Sequence, residues 1–327
     1  LLIPVLLKAP ESEAKVYRGK CKSNLTWSYD SKTKTMVIDC KGDMPDDEQF
    51  YDLDMGWRKY YFKTKKVILK KGISSIGAGA FYNFQKLEEV VLPEGLRIIK
   101  YDAFDGCRKL QFINKPSTLE VIEKDVFWDV KIKSISLKNL KKLGSECFSG
   151  AKLQSVDIPA TCKIEDSVFW SCKKLKKVTF EKGVKRISYG MFRETGIKNI
   201  DIPGSVTQIG TYAFANCQSL KKAIINEGVK KISKDAFSNT ALKEITIPST
   251  VTKLGKNAFR WESTEKSSLK KVVIRSKNIK KWGTMVFGAT RDDLVIYVPQ
   301  SKKAEYEKIL RSTNGLDFHA KIVGKNW

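Results

Sequence analysis

A single histidine, His319, limits the acid–base chemistry open to this chain. Ser–His–Asp and Cys–His catalysis both need a histidine that is oriented by a third group, and His319 lies near the C-terminus with no such pattern around it. Gly72, Gly77 and Gly79 in "KKGISSIGAGAF" superficially resemble a phosphate-binding loop, but no complete P-loop pattern is present. The sequence therefore predicts a non-enzymatic protein with no cofactor.

The acidic stretch "DMPDDEQFYDLDMG" stands out in so basic a chain. Asp52, Asp54 and Gly56 match part of a calcium-binding loop, but the remaining spacing and the closing Glu are missing. The favoured interpretation is a solvated surface whose acids pair with nearby lysines, so no metal site is predicted. Nothing in the spacing places two of these carboxylates across a cleft, as a hydrolase would require.

A repeat defines the elements that must position any functional side chain. Ten phenylalanines recur at intervals of 21 to 23 residues, apart from one interval of 28 that holds the polar insertion "RWESTEKSS". A large apolar residue precedes each of them by five positions, and Gly77 falls at a repeat position where Gly144, Gly210 and Gly255 recur. The ten residues are Phe81, Phe104, Phe127, Phe148, Phe169, Phe192, Phe214, Phe237, Phe259 and Phe287.

Each unit also carries a strand pattern, aliphatic-x-x-aliphatic-x-aliphatic, which Pro often follows. Such alternation points two side chains inward and one outward, and Pro ends the strand because it cannot donate to a ladder. One unit cannot bury its own apolar face, whereas stacked units share a continuous core. The sequence therefore predicts an α/β-type repeat solenoid with a parallel sheet along one side.

The unit "L-x-x-V-x-I-P-x-x-V-x-x-I-G-x-x-A-F" resembles the leucine-rich repeats of BspA-like surface proteins, in which Phe takes an inward position that Leu holds elsewhere. The resemblance covers residues 67–299 and about ten units. It implies an N-terminal cap with a β-hairpin over residues 15–66 and a C-terminal helical cap over residues 300–327. In that helix, Ser301 is expected as the N-cap, with Ala304, Ile309 and Leu310 toward the core.

Residues 1–14 form an apolar run that ends in a small-x-small pattern, Ser12-Glu13-Ala14. We interpret this segment as the remnant of a secretory signal peptide, with an ordinary N-terminal arm as the alternative. Secretion would place the protein outside the cell or on its surface. No other stretch approaches the apolar length needed to span a bilayer.

Seven cysteines leave at least one thiol unpaired within a monomer. Cys21 and Cys40 flank the predicted hairpin and are expected to form a disulfide in an oxidising compartment, with two free thiols as the alternative. No Cys or His cluster has zinc-ligand spacing. The other five occupy repeat positions and are interpreted as core residues: Cys107, Cys147, Cys162, Cys172 and Cys217.

Lysine occupies one position in five consecutive units, directly after the first aliphatic residue of the strand pattern. Adjacent strands lie about 4.8 Å apart, so the five ammonium groups would form a ladder roughly 20 Å long. The next position adds Lys177, Lys222 and Lys271. We predict that these side chains bind an anionic ligand, and the alternative is a solvated strand edge. The lysine ladder consists of Lys176, Lys198, Lys221, Lys243 and Lys270.

Composition favours an anionic partner, because 61 Lys and Arg oppose 36 Asp and Glu for a net charge of +25. The resemblance implies a secreted or cell-surface protein that mediates adhesion to a protein or glycan on a host or neighbouring cell. The alternative is electrostatic binding of an anionic polysaccharide or cell-wall polymer through the lysine ladder. The secretory segment and the lack of a recognised nucleic-acid-binding module disfavour nucleic acid.

Overall fold

The computed structural model describes residues 14–21, 25–47, 55–261, 268–288, 293–313, 316 and 319–327. Within these ranges there are twenty-five strands and one α-helix, α1 (Lys303–Thr313). In chain order the strands begin with β1 (Val16–Cys21), β2 (Leu25–Asp30), β3 (Thr35–Cys40), β4 (Gly42–Asp43), β5 (Lys66–Leu69), β6 (Ile73–Ile76), β7 (Glu89–Val91), β8 (Ile98–Ile99), β9 (Phe112–Ile113), β10 (Val121–Ile122), β11 (Lys142–Leu143), β12 (Ser155–Ile158) and β13 (Lys163–Ile164). They continue with β14 (Lys177–Phe180), β15 (Arg186–Ile187), β16 (Asn199–Ile202), β17 (Gln208–Ile209), β18 (Lys222–Ile225), β19 (Lys231–Ile232), β20 (Glu244–Ile247), β21 (Lys253–Leu254), β22 (Lys271–Ile274), β23 (Lys281–Trp282), β24 (Val295–Pro299) and β25 (Lys321–Lys325).

The chain winds into a parallel-stranded solenoid, as the repeat predicts. Long strands on one side alternate buried and outward residues: in β16, Ile200 and Ile202 are buried whereas Asn199 and Asp201 are exposed. The returning segment of each unit forms a second parallel ladder of mostly two-residue strands, from β4 and β6 to β23. The solenoid therefore has two strand-bearing sides, which we call the long-strand face and the short-strand face.

Phenylalanine packing links neighbouring units in the core of the solenoid. All ten repeat Phe rings are buried, and each stacks on the next with centroids 5.1 to 6.0 Å apart. The backbone N–H of each repeat Phe from Phe81 to Phe259 donates to the next unit; that of Phe214, for example, donates to the Ala236 carbonyl at 2.8 Å. The predicted core role of the Phe is confirmed.

The recurring glycine at Gly77, Gly144, Gly210 and Gly255 is explained by close backbone approach. At Gly210 an ideal Cβ would lie 2.6 Å from the carbonyl oxygens of Ile187 and Ser188 in the preceding unit. A side chain there would push neighbouring units apart. The position therefore belongs to the repeat and not to a phosphate loop.

The N-terminal cap contains the predicted hairpin, with β2 antiparallel to β3, and adds β1 at the outer edge. Strand β3 then pairs in parallel with β5, and β4 pairs in parallel with β6. The coil therefore begins one turn before the first Phe unit. Among the described residues eleven short strands stack, β4 from the cap and one from each of the ten repeat units, as expected.

The C-terminal helix differs in detail from the expectation. Ser301 lies in a 3-10 turn, Gln300–Lys302, and α1 begins only at Lys303. Ala304 is exposed, whereas Tyr306 and Leu310 are buried. The Tyr306 hydroxyl accepts from the Ile279 N–H at 3.3 Å and donates to the Ser276 carbonyl at 3.2 Å, so a tyrosine that the sequence did not single out fixes the cap to the last repeat.

Candidate binding faces

The lysine ladder lies at the start of the long strands, and all five of its side chains are exposed. Repeat stacking brings them together through the backbone. The Lys221 N–H donates to the Lys198 carbonyl at 2.8 Å, and the Lys270 N–H donates to the Lys243 carbonyl at 2.8 Å. Consecutive lysines thus occupy the same position on adjacent units, as the period predicts.

Few carboxylates neutralise these cations. In the first units, at the same and the next repeat position, Lys65 pairs with Glu88 at 3.5 Å and Lys66 with Glu89 at 2.9 Å. Among the described residues no carboxylate lies within 4.0 Å of a ladder ammonium group, and in the adjacent position Lys271 pairs with Glu244 at 3.5 Å. The positive potential of the ladder is therefore concentrated in the C-terminal half.

The outward residues of the long-strand face change character along the solenoid. Asp157 and Asp201 make the middle of this face acidic, and Asp157 accepts a hydrogen bond from the Thr179 hydroxyl. One unit after Asp201 the same position holds Ile224, which is 40% exposed, and two units after Ile224 it holds Val273, which is half-buried. The sequence showed this column only as mixed, because its change of character along the solenoid is apparent only after the units are stacked.

An open cavity of about 400 Å³ lies over this apolar segment. Ile224, Thr246 and Val273 form its floor, and cationic side chains lie at its margins. The cations are Lys222 and Lys271 on the ladder side and Arg275 at the other end of strand β22. Glu227 and Glu244 also line the cavity, so the groove combines an apolar floor with three cations and two carboxylates at its margins.

A second cavity, of about 480 Å³, opens where the short-strand ladder is interrupted between β13 and β15. Cys162, Lys163 and Arg186 line it. Burial raises the pKa of the Cys162 thiol to about 11, so the thiolate form that a nucleophile needs is scarce at neutral pH. This arrangement provides no activated cysteine.

Three repeat cysteines act as small buried donors. The thiols of Cys107, Cys172 and Cys217 donate to the carbonyl of the Phe one unit earlier, at 3.0 to 3.2 Å. Burial raises the pKa of Cys172 to about 12 and that of Cys217 to about 11. Their interpretation as core residues agrees with these contacts.

Cys21 and Cys40 lie on the two strands that flank β2, each opposite Leu25. Two interstrand spacings, roughly 9.6 Å, therefore separate their Cα atoms, whereas a disulfide spans at most about 7 Å. The expected bond is not formed in this structure, and its formation would require the strand ends to move together. A thiol count on the denatured, unreduced protein tests it, with seven thiols expected without the bridge and five with it.

The described part of the acidic stretch contacts cations and hydroxyls. Asp46 pairs with Lys100 at 2.9 Å, and Asp47 with Arg58 at 3.4 Å in the buried cap. Asp43 accepts hydrogen bonds from two serine hydroxyls. Asp52 and Asp54 of the calcium-loop hypothesis lie outside the described residues.

In the described ranges, metal-binding clusters and membrane-spanning helices are both absent. No group of three or more His, Cys, Asp or Glu side chains there is placed to hold a metal ion, and His319 is exposed. Likewise, no helix in those ranges is both long and apolar enough to cross a membrane.

The repeat and fold agree with known proteins. The BspA type leucine-rich repeat region matches residues 59–176 and 141–266, in six copies, and these ranges together cover more than half of the chain. The fold is similar to that of a leucine-rich repeat protein from Eubacterium ventriosum, with a TM-score of 0.60 and 20% identity over 86% of this chain and 84% of that chain. A leucine-rich repeat protein from Bacteroides ovatus is similar with a TM-score of 0.60 and 21% identity over 92% and 89%. No curated protein matches the sequence. Because the repeats match this model over more than half of the chain and carry the stacked phenylalanines at a regular interval, this chain belongs to the BspA-type leucine-rich repeat family.

Proposed function

We propose that this protein is a secreted or cell-surface adhesion protein, without enzymatic activity, that binds a protein or glycan on another surface. The observation that carries the proposal is the groove over Ile224 and Val273 on the long-strand face. Solvent-exposed apolar side chains in a concave, partly charged setting are typical of recognition surfaces. Family membership supports a binding role, since solenoids present extended surfaces to macromolecules.

The cations around the groove define the chemistry of the partner. Lys222, Lys271 and Arg275 share the margins of the apolar floor with Glu227 and Glu244. In the described part of the chain, Lys271 alone among these cations pairs with a carboxylate, so Lys222 and Arg275 can meet acidic groups of a partner. A complementary partner places an apolar group on Ile224 and acidic groups beside it. Such a contact loses part of its attraction at high salt but keeps the apolar contribution.

The test compares Ile224→Glu with Tyr189→Glu, because the two side chains are similarly exposed, at 40% and 42%, and lie on different sides of the solenoid. Binding of the labelled protein to matrix proteins, mucin and intact cells is measured at physiological salt. Losing a buried Ile contact is worth about 1.5–3 kcal/mol, so Ile224→Glu is expected to weaken binding by roughly tenfold or more. Tyr189→Glu is expected to bind as the wild type does, and a wild-type protein that binds none of these surfaces would contradict the proposal.

A second candidate function is electrostatic binding of an anionic polysaccharide or cell-wall polymer along the lysine ladder. Its support is the exposure of five lysines that have no carboxylate of the described residues within 4.0 Å: Lys176, Lys198, Lys221, Lys243 and Lys270. Replacing all five with Gln is expected to lower the salt concentration that elutes the protein from a heparin column. If elution is unchanged, the ladder is a solvated strand edge.

A further inference from the structure

A second column of cations crosses the short-strand face. Strands β15, β17, β19, β21 and β23 form one continuous parallel sheet. Its register aligns Arg186 with Gln208, then with Lys231, Lys253 and Lys281. Arg186 and Lys281 are exposed, and the two lysines between them are half-exposed. Four of the five strands thus present a cation at the same position.

The preceding residue in each unit adds three more cations. Lys185, Lys230 and Lys280 are exposed and alternate with Thr207 and Thr252. The backbone holds this column in register: the Lys230 N–H donates to the Thr207 carbonyl at 2.9 Å, and the Lys280 N–H donates to the Thr252 carbonyl at 2.9 Å. We call the seven cations of these two columns the short-strand basic face.

The cations in the first half of the same short-strand ladder differ from the short-strand basic face, because carboxylates pair with them. There Glu120 accepts from Lys141 at 2.8 Å and from Arg97 at 3.0 Å, and Glu165 lies 3.2 Å from Lys142. Across the described residues, no carboxylate lies within 4.0 Å of any cation of the short-strand basic face. The two halves therefore differ in neutralisation, although their backbones are equivalent.

The distribution of charge in the sequence has the same asymmetry. Residues 171–288 contain 25 Lys and Arg against 8 Asp and Glu, whereas residues 1–170 contain 29 against 23. A net charge of +17 thus falls on about a third of the chain, against +6 on about half of it. Like charges aligned on neighbouring strands repel each other unless an anion lies between them.

We propose that the short-strand basic face binds a linear sulfated polysaccharide lying along the solenoid axis. Five strands spaced about 4.8 Å apart offer a line of cations roughly 20 Å long, which matches an extended chain that bears regularly spaced sulfates. Gln208, between the cations, can donate to sulfate oxygens through its side-chain amide. The Thr207 and Thr252 hydroxyls donate to the Lys185 and Lys230 carbonyls, so their oxygens can accept from sugar hydroxyls. The polymer meets charge and hydroxyl groups along one continuous line.

The residue types on this face favour a polysaccharide over single-stranded nucleic acid. Proteins that bind single strands without sequence preference stack the bases on aromatic side chains. Neither column carries an aromatic residue at any of its positions from Lys185 to Lys281. A polymer without bases gains the ion pairs and needs no stacking surface.

This site is separate from the surfaces of the proposed function. The short-strand sheet shares no strand with β18, β20 and β22, which carry the groove. Variants of the short-strand basic face therefore test the inference whether or not the groove or the lysine ladder binds anything.

The experiment titrates the full chain with a heparin-derived dodecasaccharide at several sodium chloride concentrations. The test variant carries Arg186→Gln, Lys231→Gln, Lys253→Gln and Lys281→Gln. The matched control carries Arg97→Gln, Lys141→Gln, Lys142→Gln and Lys163→Gln, which remove the same charge from the neutralised half of the same face. Circular dichroism and the melting temperature establish that both variants fold.

The test variant is expected to lose roughly tenfold or more in affinity at physiological salt, and the slope of log K against log salt is expected to fall by about three. The control is expected to lose less than about twofold. Equal losses in the two variants would show that net charge alone governs binding and would overturn the inference. A single-stranded oligothymidine of equal charge serves as competitor, and if it binds as tightly and with the same dependence on these residues, the assignment to a polysaccharide is wrong.

Discussion

At the scale of single residues, the repeat phenylalanines act as spacers between units. Phe169 lies between Phe148 and Phe192, with centroid distances of 6.0 and 5.7 Å and nearly parallel rings. Its side chain is fully buried. Each ring thus contributes to the core of its own unit and to the interface with two others.

Phe169→Ala is expected to lower the free energy of unfolding by about 3–5 kcal/mol, because it leaves a ring-sized cavity in a stacked column. Urea denaturation followed by circular dichroism measures the change. Phe112→Ala provides the control, since Phe112 is 61% exposed and lies outside the column, and it should change stability by no more than about 0.5 kcal/mol. Similar losses in both variants would show that the stacked column has no special role.

A second residue-scale feature is a row of carboxylates just before the Phe rings. Asp102, Asp125 and Glu146 occupy the same left-handed backbone position in successive units, with φ of 56° to 58°. Burial, with Asp125 nearby, raises the pKa of Asp102 to about 6. Burial and the charges of Asp102 and Asp125 likewise raise the pKa of Asp105 to about 6.

A raised carboxyl pKa means that the folded state holds its proton more tightly than the unfolded chain does. Stability from these groups is therefore present below the unfolded pKa, near 4, and is lost as pH rises toward 6. Asp102→Asn is compatible with the left-handed backbone conformation, because Asn257 adopts that conformation at the same repeat position. The variant is expected to be more stable than the wild type at pH 7.5 and to lose that advantage at pH 4, as measured by thermal unfolding.

Glu120→Gln is expected to change stability in the direction opposite to Asp102→Asn. Hydrogen bonds from Lys141 and Arg97 lower the pKa of Glu120, so its contribution is present at neutral pH and is lost as pH falls. The variant should be less stable than the wild type at pH 7.5, opposite to Asp102→Asn. If the stability of the two variants depended on pH in the same way, the opposite pKa shifts of Asp102 and Glu120 would be contradicted.

At the scale of elements, α1 closes the open end of the solenoid. Tyr306 lies in a buried site against Trp282, with ring centroids 5.1 Å apart. Its hydroxyl satisfies the Ile279 N–H and the Ser276 carbonyl, which belong to the last repeat turn. The helix is therefore docked by both packing and hydrogen bonding.

Tyr306→Phe is expected to cost about 1–3 kcal/mol, because it leaves buried backbone groups without their partner. Hydrogen exchange at the Ile279 amide should accelerate, since that N–H loses its acceptor. Tyr297→Phe is the control, as Tyr297 is half-buried on the long-strand face. Unchanged exchange at Ile279 in Tyr306→Phe would show that the helix does not depend on this hydroxyl.

At the scale of the whole molecule, charge is unevenly distributed along an otherwise regular coil. Repulsion between aligned cations in water is about 1 kcal/mol per pair at 4 Å and is screened at 1 M salt, where the Debye length is about 3 Å. Replacing the five ladder lysines with Gln is therefore expected to raise stability in low-salt urea titrations. The gain should shrink as sodium chloride is added.

The matched comparison is the variant of Arg97, Lys141, Lys142 and Lys163, whose cations lie near Glu120 and Glu165. Removing attractive pairs should lower stability slightly, by about 0.2–1 kcal/mol per pair. A ladder variant that is also destabilised at low salt would show that its lysines do not repel one another in the folded protein.

The sequence by itself determined the period, the inward Phe positions and the presence of a lysine in five successive units. These features follow from local spacing, because every unit repeats the same strand, turn and Phe at a nearly constant interval. The hairpin cap and the terminal helix were expected from the resemblance to BspA-like repeats, whereas the N-cap expected at Ser301 was wrong, because α1 begins at Lys303. A repeat protein reveals its fold in this way because its contacts join equivalent positions.

Only the tertiary structure decided how charges and caps are placed across units. Arg186, Lys231, Lys253 and Lys281 align through strand register, and whether a cation is neutralised depends on a carboxylate about 20 residues away, as Glu120 shows for Lys141. The docking of Tyr306 and the separation of Cys21 from Cys40 depend on how the ends pack. The physical reason is that stacking brings together side chains that are distant in the chain, and local patterns carry no information about such contacts until the register is set.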